Sequence, residues 1–396
     1  MTNASDTQKK LTARQLLIYS DQHYLLNGLP HIAFLYAFWG KNAEDLSNPN
    51  SRRYDRHTDI SPSLFEMTQL NEAHLAVLPF DWSHVVAHPE ALEMAKQMAQ
   101  TAAAQNIPLV VFYLDDTTAA VELDNTRVFR TSVNRSTRQP NEAVIPAWSE
   151  DFVEHYCDGQ VQLRSKSSKP IVGYCGYQAL VKPKNQFTNH LRLQLGAIPK
   201  VAQIASRVGI NLVKHPLTWL YGSRIRSQAL FILSRDSRVE CNFLIRDTLH
   251  HTETLTLPKR QQFVENMLNS DYILCARGGG NFSYRFYETL SCGRIPVLIN
   301  TDCELPFEQW IDWKRYCVWV EEEDLPHLGA RIREFHDRLT PEQFQTLQLE
   351  CRKLWLEWLS PQGFLANFYR FFIEDNSELF SVARFYDETH TRHLSS

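Results

Sequence analysis

Residues 271–307 read DYILCARGGGNFSYRFYETLSCGRIPVLINTDCELPF. An apolar run, Tyr272–Cys275, leads into Arg277 and the three glycines Gly278, Gly279 and Gly280. A helix is expected next, opened by Ser283 as N-cap and closed by Gly293 at the left-handed position after its end. A second apolar run, Ile295–Ile299, follows at once. Strand, glycine loop, helix and strand make a βαβ unit, whose ligands gather at the carboxyl ends of parallel strands. Glycines let the backbone approach a phosphate closely, and the helix start offers free N–H donors. Arg277 and Arg285 flank the loop with positive charge. Phe282 and Tyr287 occupy the two positions of a hydrophobic staple. Arg285 and Glu288 are three apart and share a helix face.

Each feature alone has a bland reading. The glycines suit a tight turn, Ser283 a plain cap, and Arg285 with Glu288 a surface pair of little energetic value. Their convergence on one strand end favours an anion site. The pattern is not a Walker A loop, since no Lys-Ser/Thr follows the glycines. Nor is it the Rossmann fingerprint, which wants glycine at Ser283 and belongs on a domain's first strand. A kinase loop lacks its partner motifs here.

The segment CARGGGNFSYRFYETLSCGRIPVLINTDCELPF, followed by IDWKRYCVWVEEEDL, resembles the donor-binding half of exostosin-type glycosyltransferases. The resemblance is dense from about Asp271 to Leu325, weaker in PIVGYCGY (170–177) and fainter in LAVLPFDW (75–82). It implies the two-domain GT-B fold, a nucleotide-sugar donor, usually UDP-linked, and inversion at the anomeric carbon. It also implies a role for Glu288 at the donor ribose. No membrane anchor like that of eukaryotic members is expected from the sequence, which in this respect resembles the soluble bacterial ones.

Bulk properties agree with an α/β protein of two Rossmann-like domains facing a cleft. A length of 396 residues suits two domains, and 43% hydrophobic residues allow sizeable cores. The net charge of −4 argues against a nucleic-acid partner. The first ten residues, MTNASDTQKK, predict no signal peptide, and Ile32–Trp39 is too short to span a bilayer. Eight cysteines without CxxC spacing suit buried thiols in a reducing, cytoplasmic setting and no zinc. Peripheral membrane contact stays open.

Strands are expected at Leu16–Tyr19, Ile32–Phe38, Leu75–Leu78, Leu109–Leu114, Val128–Thr131 and Ile171–Tyr174. Helices are expected at Pro89–Gln105, Val201–Val208, Ser227–Ser234, Lys259–Asn269, Pro341–Leu359 and Gly363–Glu374. The polar run QVQLRSKSSK (160–169) reads as the linker. The expected organisation is an acceptor domain over 11–165, a nucleotide-sugar domain over 166–355, and helices packing across both over 356–396.

The expected donor residues are Arg277, Gly278, Gly279, Gly280, Asn281, Ser283, Arg285 and Glu288, with Arg224. Arg224 and Arg226 lie in GSRIRSQAL (222–230), where a solvated helix end is the competing reading. Arg246 is a further cation at a strand end. No Asp-x-Asp occurs, so arginines and helix N-termini rather than a metal or other cofactor are expected to neutralise the diphosphate. EEED (321–324) reads as a solvated turn. Transfer needs a base for the acceptor hydroxyl. Asp81, ending LAVLPFD with Trp82 beside it as a sugar platform, is the first candidate, and Asp115, Asp116 and His23 are the others. The acceptor would be a glycan or a lipid-linked sugar, as in polysaccharide biosynthesis. A non-catalytic carbohydrate- or nucleotide-binding relative is the alternative, and a dinucleotide reductase is disfavoured by the late glycine loop.

Overall fold

The structure, a computed structural model, describes residues 15–43, 49–54, 56–177, 216–246 and 257–372. Two wholly parallel sheets organise them. The first runs β2-β1-β3-β4-β5-β6, from β1 (Leu16–Tyr19), β2 (Phe65–Met67), β3 (Leu75–Val77), β4 (Leu109–Tyr113), β5 (Thr126–Arg130) and β6 (Glu142–Val144). The second runs β11-β10-β9-β7-β8, from β7 (Ile171–Tyr177), β8 (Glu240–Arg246), β9 (Tyr272–Cys275), β10 (Ile295–Asn300) and β11 (Val318–Glu321). Strands covered on both faces read as continuous apolar runs, and β4 (LVVFY) and β10 (IPVLIN) are buried throughout. Helices flank both sheets, giving the α/β fold of two Rossmann-like domains of the GT-B kind.

Both sheets reverse their order beside their first strand, between β1 and β3 and between β7 and β9. Such switch points open a crevice at the strands' carboxyl ends. The two crevices face each other. The loop after β5 meets the loop after β10 through a bridge between Asn134 and Cys303, and Ser136 and Arg135 hold Asp302. Arg135 also pairs with Glu308, and Arg138 with Glu304.

Most expected elements form, with shifted ends. Helices run Pro89–Ala103, Pro216–Ser234, Leu257–Leu268, Tyr284–Ser291 and Pro341–Leu354. The last starts at a capping box of Thr340 and Gln343 and passes into a π turn, Trp355–Leu359, where an unbroken helix was expected. The last described helix, Pro361–Asn367, continues as a 3-10 turn, Phe368–Phe372. The expected strand Ile32–Phe38 is a correction: it is a 3-10 turn, Ala33–Leu35, leading into a short helix, Tyr36–Trp39, ended by Gly40 at φ 84°. Its backbone bonds close locally, Leu35 N–H to the Ile32 carbonyl, and Phe34 packs against Phe65, Phe112 and Phe368. The expected helix Val201–Val208 lies outside the described residues.

Residues 160–169 carry no regular structure, yet they are pinned. Gln348 answers both the N–H and the carbonyl of Arg164, at 2.9 Å each. Asp271, fully buried, accepts from Arg164 Nε at 2.8 Å, from the Ser167 hydroxyl and from the Ile171 N–H at 3.0 Å. Arg294, 1% exposed, donates to the carbonyls of Gln162 and Leu268, and burial pulls its pKa down to about 10. After the π turn the chain returns to the first sheet, where Phe364 and Phe368 pack on Phe129.

Candidate active site

The glycine loop lies at the switch point of the second sheet, directly after β9. Its glycines answer to different neighbours. A Cβ on Gly279 would stand 2.4 Å from Asp116 Oδ2, and one on Gly280 would stand 2.9 Å from the Asp116 Cα. These two glycines therefore allow the amino-terminal domain to press against the loop. Gly278 faces open space, with nothing within 4 Å. Gly222, outside the expected set, would push a Cβ to 2.2 Å from the Gly278 carbonyl, so it lets the helix Pro216–Ser234 approach the loop.

Three arginines gather here. Arg277 donates to the Gly279 carbonyl at 3.0 Å and lies 5.3 Å from the Tyr221 ring centre. Arg285, on the helix Tyr284–Ser291, donates to the Cys175 carbonyl at 2.9 Å and sits 4.5 Å over the Tyr174 ring. Arg226 donates to the Arg277 carbonyl at 3.1 Å and toward the Tyr177 carbonyl at 3.5 Å. Each has a buried Nε without a hydrogen-bond partner among the described residues. Burial lowers the pKa of Arg277, and it lowers that of Arg226 with Arg285 adding to the effect. Buried cations are ordinarily paired with anions. These three are half-buried and form no ion pair among the described residues: carbonyls, rings and the Tyr174 hydroxyl surround them, and the Asp116 and Glu322 carboxylates act on Arg277 from nearby. Arg224 lies on the same helix near Tyr221, and Arg246 is spent on the Lys259 carbonyl.

The remaining expected donor residues are placed as follows. Ser283 has the extended backbone of an N-cap, φ −140°, but its side chain makes no cap bond. Phe282 lies edge-on to Tyr284 at 5.4 Å, and Tyr287 meets Phe286 at 5.5 Å. Asn281, 1% exposed, is fully engaged by protein. Its N–H goes to Ser132 Oγ, its Nδ2 to the Val133 and Thr301 carbonyls and Asn134 Oδ1, and its Oδ1 accepts from Thr301. It joins the domains. Glu288 is buried and pairs with Arg260 at 3.2 Å rather than with Arg285.

On the amino-terminal side the carboxylates separate. Asp81 accepts from the Ser83 and Leu114 N–H groups, both at 2.9 Å, and burial pushes its carboxyl pKa up. Trp82, 7% exposed, packs in the core with Phe80 and Tyr113 and offers no open platform. His23 is exposed beside Tyr24. Asp116 touches the glycine loop, and its own loop is clasped by β5. Arg130, itself paired with Glu142, donates to the Thr117 carbonyl at 2.6 Å and the Ala119 carbonyl at 3.0 Å. Thr131 and Ser132 hold the Asp115 and Asp116 carbonyls at 3.3 and 2.9 Å. A mainly apolar cavity beside this loop is lined by Tyr54, His57, Phe112, Leu114 and Trp148, and Trp148 Nε1 is buried without a partner.

Among the described residues no group of three or more His, Cys, Asp or Glu could hold a metal ion. In the acidic turn, Glu322 accepts from the Tyr221 hydroxyl and Asp324 pairs with Arg331 at 2.9 Å. No described helix is long and apolar enough to cross a membrane.

Sequence comparison coincides with this half of the fold. The Exostosin GT47 domain matches residues 223–335. The chain is 33% identical to Exostosin-1 of Drosophila melanogaster over 96 residues, 24% of this chain and 12% of that protein. It is 36% identical to a protein of Arabidopsis thaliana named as a probable glycosyltransferase over 82 residues, 21% and 16% of the two chains. It is 38% identical to a protein of Oryza sativa subsp. japonica named as a probable glucuronosyltransferase over 70 residues, 18% and 17% of the two chains. The matched stretch thus covers under a fifth of each relative's length. Over residues 223–335 the chain is thus similar to the exostosin-type glycosyltransferases.

Proposed function

We propose that this chain transfers a sugar from a nucleotide-sugar donor, UDP-linked by preference, to a hydroxyl of a glycan or lipid-linked acceptor, with inversion and without a metal. The observation that carries the reading is the trio Arg226, Arg277 and Arg285 at the β7/β9 switch point, half-buried together and none of them ion-paired among the described residues. A diphosphate supplies the anion such a cluster lacks, and the same cations stabilise it as it leaves. Gly278, open to the crevice, is where backbone can approach it. The base would come from the facing domain. Asp116 is favoured, because its carboxylate lies against the glycine loop at Gly279. A cytoplasmic location suits the free thiols of the described cysteines.

Calorimetric titration with UDP, GDP and CDP and their sugars tests the donor reading, and absence of binding by all of them defeats it. Arg285→Ala should weaken nucleotide binding about ten-fold or more, the loss expected for one charge-assisted contact. Unchanged affinity in the folded variant would remove Arg285 from the site. Transfer should persist in EDTA. Activity abolished by the chelator and restored by manganese or magnesium would contradict the metal-free scheme.

One observation favours the second reading, a binding relative without turnover. Asp116 rests on the glycine loop, and Asn281 and Asp302 tie the two domains together at that point. Nucleotide binding with neither transfer nor donor hydrolysis would select it.

A further inference from the structure

We infer that Arg260 is a positioning residue that orients Glu288 toward the ribose of a bound nucleotide, and that it ties this contact to the amino-terminal domain. The inference rests on the donor reading above.

Arg260 lies on the helix Leu257–Leu268 and is 4% exposed. Its Nη1 meets Glu288 Oε1 at 3.2 Å, and its Nε meets Glu150 Oε1 at 2.8 Å. The guanidinium sits 4.4 Å from the Phe152 ring centre and 5.4 Å from that of Phe263. Glu150 is fully buried and is also held by His155 Nδ1 and the Tyr156 hydroxyl, both at 3.0 Å. Burial works against its charge, but these partners hold its pKa below the ordinary carboxylate range.

The bridge joins three separate pieces of chain. Glu150 follows β6 of the first sheet, Arg260 precedes β9 of the second, and Glu288 lies one turn beyond Arg285 on the helix that leaves the glycine loop. A carboxylate receives both hydroxyls of a ribose only when correctly turned. A cation fixed beside it holds that orientation. An arginine fork held among aromatic rings is a rigid cation of this kind. Glu150 fixes the far side of the fork, so Glu288 is aimed by a residue 110 positions from Arg260 in the chain.

Affinity for UDP and for 2′,3′-dideoxy-UDP separates this role from a structural one. The wild type should prefer UDP by about ten-fold or more, the value of hydrogen bonds to a charged group. The double change Arg260→Gln with Glu150→Gln keeps the net charge while removing the cation beside Glu288, and melting verifies that it folds. In it the preference should fall to within about two-fold while dideoxy-UDP binds as in the wild type. A folded variant that keeps the full preference overturns the inference and leaves Arg260 as a structural tie. A wild type that binds neither compound overturns the UDP-donor reading and this inference with it. A wild type that binds both equally overturns the ribose contact alone.

Discussion

Asp116→Asn is expected to cut transfer by roughly 10²–10⁴-fold, the usual contribution of a general base. Nucleotide affinity should not fall, because the amide keeps the shape of the carboxylate and removes a negative charge facing the donor loop. The structure makes this variant more informative than Asp81→Asn. Asp81 holds the Ser83 and Leu114 N–H groups, and an amide has only one oxygen to offer them. Asp81→Asn should therefore lower the melting temperature and leave turnover per folded molecule within a few-fold. Steady-state rates of both variants with one donor decide the matter. Near-normal transfer by Asp116→Asn would end its candidacy, and a large rate loss in folded Asp81→Asn would return the role to Asp81.

The second large effect is on stability. Phe368 is fully buried, and its ring lies 4.9 Å from Phe129, 5.2 Å from Phe34, 5.3 Å from Phe372 and 5.8 Å from Phe65. Phe368→Ala should cost about 3–5 kcal/mol, since Phe65 and Phe129 of the first sheet form a wall that cannot collapse into the cavity. Chemical denaturation would show this as an earlier midpoint. A loss below about 1 kcal/mol would mean that the final turn is not docked on the first sheet.

These two sites were not equally legible. The glycine loop and its strands could be read because buried parallel strands leave long apolar runs, and Ser283 and Gly293 punctuate the helix between them. Gly293 does stand at φ 65°, as the helix end requires. The run Ile32–Phe38 misled, since a short apolar segment looks alike whether it is a strand or a buried turn. β2 and β6 passed unnoticed because each has three residues and carries a glutamate. At the site, single residues were visible but their partners were not. Arg277 and Arg285 announce charge, yet nothing near Asn281 in sequence reveals that Ser132 and Asn134 take it up. Gly279 and Gly280 look like phosphate glycines, and only the fold shows Asp116 against them. Glu288 next to Arg285 suggested the wrong partner, because the ion pair that forms reaches back 28 residues to Arg260.

Among the described residues the chain passes between the two halves of the molecule at residues 160–169 and again after the π turn. The passages lie side by side: Gln348 clamps Arg164, and Arg352 holds Asp151 at 2.7 and 2.8 Å. A body tethered at one point is a ball joint, free to swing and spin. A body tethered by two adjacent cords is a door, and one angle describes its position. Sideways slip of Asp116 across the loop it faces would strain both cords, whereas rotation about their common line would strain neither.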